Sequence, residues 1–144
     1  MRNILFCLTV VAGLTACKKE KLDVSSFWEC NQSQHLDSLT ISGKLVGSWK
    51  WSKQSCFETG QVTSADKNIQ VTFKYDQTFS VSGDAFTPLT QGIWKIVKVD
   101  VSSWELDLSS PSEYLSGRIL FCGNQVLFND SFRDGCDNLF DKNN

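Results

Sequence analysis

The chemistry open to this chain of 144 residues rests on few side chains: six cysteines, one histidine, some closely spaced carboxylates and five tryptophans. A thiol can accept an acyl group, ligate a metal, attack a carbonyl or pair with a second thiol, and its surroundings decide which. Cys30 and His35 are near in sequence, but no CxxC occurs and His35 is the sole histidine, so zinc is not supported. The lone His35 also leaves no Ser/His/Asp or Cys/His constellation, and the chain reads as a non-enzyme without metal or cofactor. Glu105 and Asp107 could do acid–base work, yet they alternate with Trp104 and Leu106 and so fall on the outward face of a strand. Asp130, Asp134 and Asp137 with Gly135 have the composition of a calcium loop, but Phe132 stands where an oxygen ligand is needed, and an acidic turn is the better reading.

The leader sorts the thiols. Arg2 precedes an apolar run from Ile4 to Gly13, which ends in Leu14-Thr15-Ala16-Cys17. The run fits the h-region of an export signal and falls short of the roughly 18 to 20 apolar residues that cross a bilayer. Leu14-Thr15-Ala16-Cys17 resembles the lipobox of bacterial lipoproteins: a branched apolar residue, two small residues, then the cysteine that receives diacylglycerol. The resemblance implies that residues 1–16 are removed and that Cys17 is the lipidated amino terminus. A single acyl chain binds a bilayer reversibly, whereas two or more hold it stably, at about 0.8 kcal/mol per buried methylene. The first expected partner is therefore a membrane, met through the acyl chains on Cys17. Residues 17–26, polar and charged without apolar periodicity, read as a short flexible linker. Lysine rather than aspartate at position 18 goes, in lipoproteins, with transfer to the outer membrane. The lysine- and acid-rich start also resembles the export tags of Bacteroidetes surface lipoproteins, so the cell surface and the periplasmic face are both open.

With Cys7 removed and Cys17 acylated, Cys30, Cys56, Cys122 and Cys136 remain. An even number in an oxidising compartment suggests two disulfides, with connectivity open on spacing alone. The length beyond the linker fits one domain, near the size at which covalent staples help. The formal charge is −2, with Arg2 still to be lost, and no basic stripe appears, so no nucleic-acid partner is expected.

Between Phe27 and Lys44 the apolar residues fall irregularly, and one short helix opened by Asp37-Ser38 is expected. Asp37-Ser38-Leu39 also resembles the O-glycosylation tripeptide of exported Bacteroidetes proteins, but a helix cap is the preferred reading. From Val46 onward the period is two: Trp49 and Trp51 alternate with Lys50 and Ser52, and Val71, Phe73 and Tyr75 with Thr72 and Lys74. Closely spaced turn signals mark an antiparallel meander. Its hairpins are 69–75 with 78–81, 92–99 with 103–108, and 114–122 with 125–129. A last strand, 136–142, would close the sheet by pairing beside the first.

Leu45-Val46-Gly47-Ser48-Trp49, the repeat Gly92-Ile93-Trp94 and the closing 134–140 segment resemble lipocalins and the lipocalin-like domains of Bacteroidetes lipoproteins. The resemblance implies an all-β, calycin-type barrel over residues 45–142 with a short N-terminal helix or extension over 27–44. In that topology the strand 125–129 holds Cys122 and Cys136 roughly 17 Å apart, beyond the ~7 Å that linked Cα atoms tolerate. Antiparallel first and last strands bring Cys136 to Cys56, leaving Cys30 for Cys122.

Trp49 and Trp94 read as core, whereas Trp51 and Trp104 are the candidates for a ligand surface. The function expected is a non-enzymatic, lipid-anchored envelope protein that binds a small apolar molecule or a glycan. The alternative is a structural or accessory subunit with a filled barrel and an envelope protein as partner. An aromatic-lined cavity above ~300 Å³ favours the first, and a packed interior with an exposed apolar patch favours the second.

Overall fold

A computed structural model describes residues 22–83 and 90–143. Leu14, Thr15, Ala16 and Cys17 lie outside the described residues, as does the first half of the expected linker. Among the described residues the strands are β1 (Gly47–Cys56), β2 (Val62–Ser64), β3 (Gln70–Phe73), β4 (Thr78–Ser82), β5 (Thr90–Lys98), β6 (Trp104–Leu108), β7 (Arg118–Cys122), β8 (Gln125–Asn129) and β9 (Cys136–Lys142). Each neighbouring pair is antiparallel, and β9 returns to pair with β1, so β1 and β3 to β9 close a barrel. The three hairpins and the closing strand are those expected, except that β7 starts at Arg118 rather than at residue 114, which lies in a 3₁₀ turn. The short β2 extends the far end of β1 and carries no strong apolar signal.

Gly47 opens β1 at a φ of 128°, a region that side chains rarely enter, which accounts for glycine two residues before Trp49. Trp49 then turns inward, donates its indole N–H to the Leu45 carbonyl at 2.6 Å, and carries the Lys142 ammonium over its ring. A bulge at Ser52 shifts the β1–β9 register. Trp51 opposes Phe140 before the bulge, Gln54 opposes Asn138 after it, and Cys56 comes to stand opposite Cys136.

The interior is packed. Trp49, Phe73, Phe121, Phe128 and Phe140 are each 2% exposed or less, with Phe128 and Phe140 edge to face at 5.7 Å. Helix α2 (Ser38–Leu45), capped by the Asp37 carboxylate on the Thr40 N–H at 2.8 Å, drives Ile41 and Leu45 into one end of this core. A 3₁₀ turn at Glu113–Leu115 inserts Tyr114 and Leu115 at the other end, where Asn138 donates to the Glu113 carbonyl.

A second apolar cluster lies outside the barrel. Leu120, Leu127 and Leu139 are register neighbours facing outward, and Leu22 packs on them with Val24, Phe27 and Trp28 of helix α1 (Val24–Gln32). This corrects the reading of residues 22–26 as linker and of 27–44 as a segment with one helix. Leu22 is 8% exposed, and Asp23 caps α1 through the Ser26 N–H. Val24, Phe27 and Trp28 repeat at i, i+3 and i+4, the spacing of an apolar helix face. Disulfides join Cys30 of α1 to Cys122 of β7, and Cys56 of β1 to Cys136 of β9, with Cα atoms 5.5 and 4.0 Å apart. They are the two pairs expected from the closed sheet.

Candidate functional site

The barrel seam is weakest between β6 and β7, which meet in register at Glu105 opposite Arg118. Beyond that point the end of α1 and the segment joining it to α2 take the place of a strand. Asn31 accepts a hydrogen bond from the Phe121 N–H at 2.9 Å, and the Gln34 amide donates to the Phe121 carbonyl at 3.0 Å. Two side chains thus satisfy backbone groups that a neighbouring strand would otherwise pair. His35, in the same connection, has a φ of 48°, in the left-handed region.

A surface cleft of about 520 Å³ opens where this connection faces the β5–β6 hairpin. Asn31, Gln32, His35, Leu36 and Asp37 line one side, and Lys98, Val101, Ser102 and Trp104 the other. Trp104 is half-buried, with its ring packed against the barrel core and the Lys98 ammonium 5.5 Å from its centroid. Hydrogen bonds from Thr40 hold the Asp37 carboxyl below its ordinary pKa of 3.8, so it is charged at neutral pH. Imidazole, ammonium, carboxylate and indole therefore converge on one polar recess, which could hydrogen-bond a polyhydroxy ligand against an aromatic edge.

Trp51 does not share that position. It is 3% exposed, lies edge to face against Tyr114 at 5.4 Å and donates its N–H to Asn138 at 3.2 Å. This corrects its place as a ligand candidate: Trp51 has the same inward parity as Trp49, and Asn138 satisfies its only polar atom. Burial also raises the pKa of the Tyr114 phenol, as expected of a neutral ring wedged into a core.

Beside α2 is a more apolar groove of about 290 Å³, lined by Leu39, Ser42, Gly43, Val46, Tyr75, Gln77 and Trp94. Leu39 is 81% and Tyr75 86% exposed. Sequence reasoning missed this pair because Leu39 belongs to an irregular stretch and Tyr75 continues an alternation that ends at Phe73. Three of the remaining acidic candidates do structural work. Asp137 accepts from the Asn129 amide and from the N–H groups of Asp130 and Ser131, all within 2.9 Å. Glu105 and Asp130 both pair with Arg133. Among the described residues no cluster of three His, Cys, Asp or Glu side chains is placed to hold a metal ion. No protein-family model, curated protein or solved structure matches the chain.

Proposed function

We propose that this chain is a lipid-anchored protein of the bacterial cell envelope whose barrel acts as an interaction module, meeting a protein partner on its outer surface rather than carrying a ligand inside. One observation carries this reading: the barrel axis is filled by aromatic side chains and stoppered at both ends by Ile41 with Leu45 and by Tyr114 with Leu115. A ligand inside would have to displace close-packed rings. The exposed Leu39 and Tyr75, beside an apolar groove, supply the outer surface that such a module needs. Anchoring rests on the Leu14-Thr15-Ala16-Cys17 sequence.

The test uses the chain in its own envelope, with a photo-crosslinking phenylalanine analogue replacing Tyr75 or, as control, Lys95. A discrete protein adduct from position 75 and none from position 95 supports the module. A small molecule retained at one equivalent in native mass spectrometry, with no adduct at position 75, overturns it. The acyl mass on the peptide beginning at Cys17 checks the anchor in the same preparation.

The half-buried Trp104 favours a second reading, in which the polar cleft binds a small molecule or glycan from outside the barrel. Titration of indole fluorescence with oligosaccharides, against Trp104→Ala, decides it. Saturable quenching that the variant loses supports the reading, and an unchanged spectrum removes it.

A further inference from the structure

Leu22, five positions after Cys17, is seated on the outward Leu120, Leu127 and Leu139 row, so the attachment point of the tether lies on one wall of the barrel. The far end of α1 is pinned to that wall by the Cys30–Cys122 bond. Around the closed ring of β1 and β3 to β9, the strands four places from β7, β8 and β9 are β3, β4 and β5. The tether therefore meets the wall diametrically opposite β3–β5.

Its length sets a limit. Five residues reach at most about 17 Å even when fully extended. A domain of this size is about 35 Å across, so the path from Leu22 around to the opposite wall is longer than the tether. Lys18, Lys19 and Lys21 outnumber Glu20 beside the anchor, an excess of positive charge that anionic headgroups attract.

We infer that the α1-covered β7–β9 wall is the side of the protein held against the lipid surface, and that the β3–β5 wall with the β3–β4 turn faces away from it. The inference rests on the reading of Cys17 as a lipid anchor. It also deepens the proposed function, because Tyr75 lies in the β3–β4 turn and is presented outward.

The experiment places the full acylated chain, made in a lipoprotein-processing bacterial host, on lipid nanodiscs doped with a gadolinium-chelate headgroup lipid. Amide relaxation is then read residue by residue. Ser25 and Ser26 should relax several-fold faster than Lys74, Ser80 and Ile93, and Cys17→Ser should abolish the difference. Equal or stronger relaxation at Lys74, Ser80 and Ile93 in a chain that carries its acyl mass overturns the inference alone. Lack of acyl mass on Cys17 overturns the anchor and the inference together.

Discussion

The wall of β7, β8 and β9 buries both its faces, whereas the wall of β3, β4 and β5 buries one. On the first, Ile119, Phe121, Val126, Phe128 and Phe140 point inward while Leu120, Leu127 and Leu139 point outward and are just as buried. On the second, Val71, Phe73, Phe79, Val81 and Trp94 fill the core, while Gln70, Gln91 and Lys95 face water. The difference is written in the apolar triplets Ile119-Leu120-Phe121 and Val126-Leu127-Phe128, which break the alternation seen at Val71-Thr72-Phe73. A strand that is apolar on both sides needs a cover. Here the cover is the N-terminal helix, so α1 belongs to the barrel's structure rather than to its leash.

The comparison is tested most severely at its outward residues. Leu127→Ala, although it points away from the barrel axis, should cost about 2–5 kcal/mol in urea unfolding, because it empties a site closed by α1. Ser80→Ala on the opposite wall should stay within about 0.5 kcal/mol. Similar small losses at both positions would mean that α1 is not a cover in solution.

The disulfides sharpen the contrast next. Their sequence separations, 92 and 80, are so alike that chain entropy alone gives them nearly equal worth. Removing either pair as a double alanine variant should cost about 2–4 kcal/mol. Hydrogen exchange should nevertheless separate them. Loss of Cys30–Cys122 should deprotect α1 and leave β3–β5 unchanged, while loss of Cys56–Cys136 should loosen the β1–β9 seam. Identical exchange maps would refute a wall-specific role.

Trp51→Phe probes the closure itself, between the two walls. The ring stays apolar but Asn138 loses the indole donor and keeps only the Gln54 amide at 3.1 Å on that oxygen. The expected cost is about 1–3 kcal/mol by urea unfolding, and no loss would show that Gln54 alone suffices.

Much of the barrel was legible because its inner face obeys a strict period. Gly47, the hairpins and the strand Cys136–Lys142 could be placed from alternation and turns, and closure then brought the four cysteines together in pairs. The Ser52 bulge was not legible, since one unpaired residue leaves no compositional mark, yet it sets Cys56 opposite Cys136. Trp51 was misassigned although its parity matched Trp49; the donor that settles its environment, paired with Asn138, is a contact across 87 positions. Trp104 lines a cleft, but His35 and Asp37 join it through a connection next to Asn31, whose side chain takes a strand's place on β7, which no local pattern encodes.

The smallest expected effect concerns acid, and it again separates the cover from the core. The Ser25 hydroxyl, then Ser26, hold the Asp23 carboxyl down to about 2, below its ordinary 3.8. A carboxylate with a depressed folded pKa is protonated first in the unfolded chain as pH falls. Its contribution is therefore complete above about pH 4 and lost as pH drops toward 2. Exchange at the Ser26 amide should accelerate relative to its intrinsic rate across that window, while inward amides of β7 and β8 hold their protection. Asp23→Asn keeps a capping oxygen without the charge, so it should change α1 little at pH 7 and flatten its acid dependence. If the variant loosens with acid as steeply as the parent chain, the pH response of the cover lies elsewhere. If β7 and β8 loosen in step with α1, then cover and core are one cooperative unit and the two walls differ in burial alone.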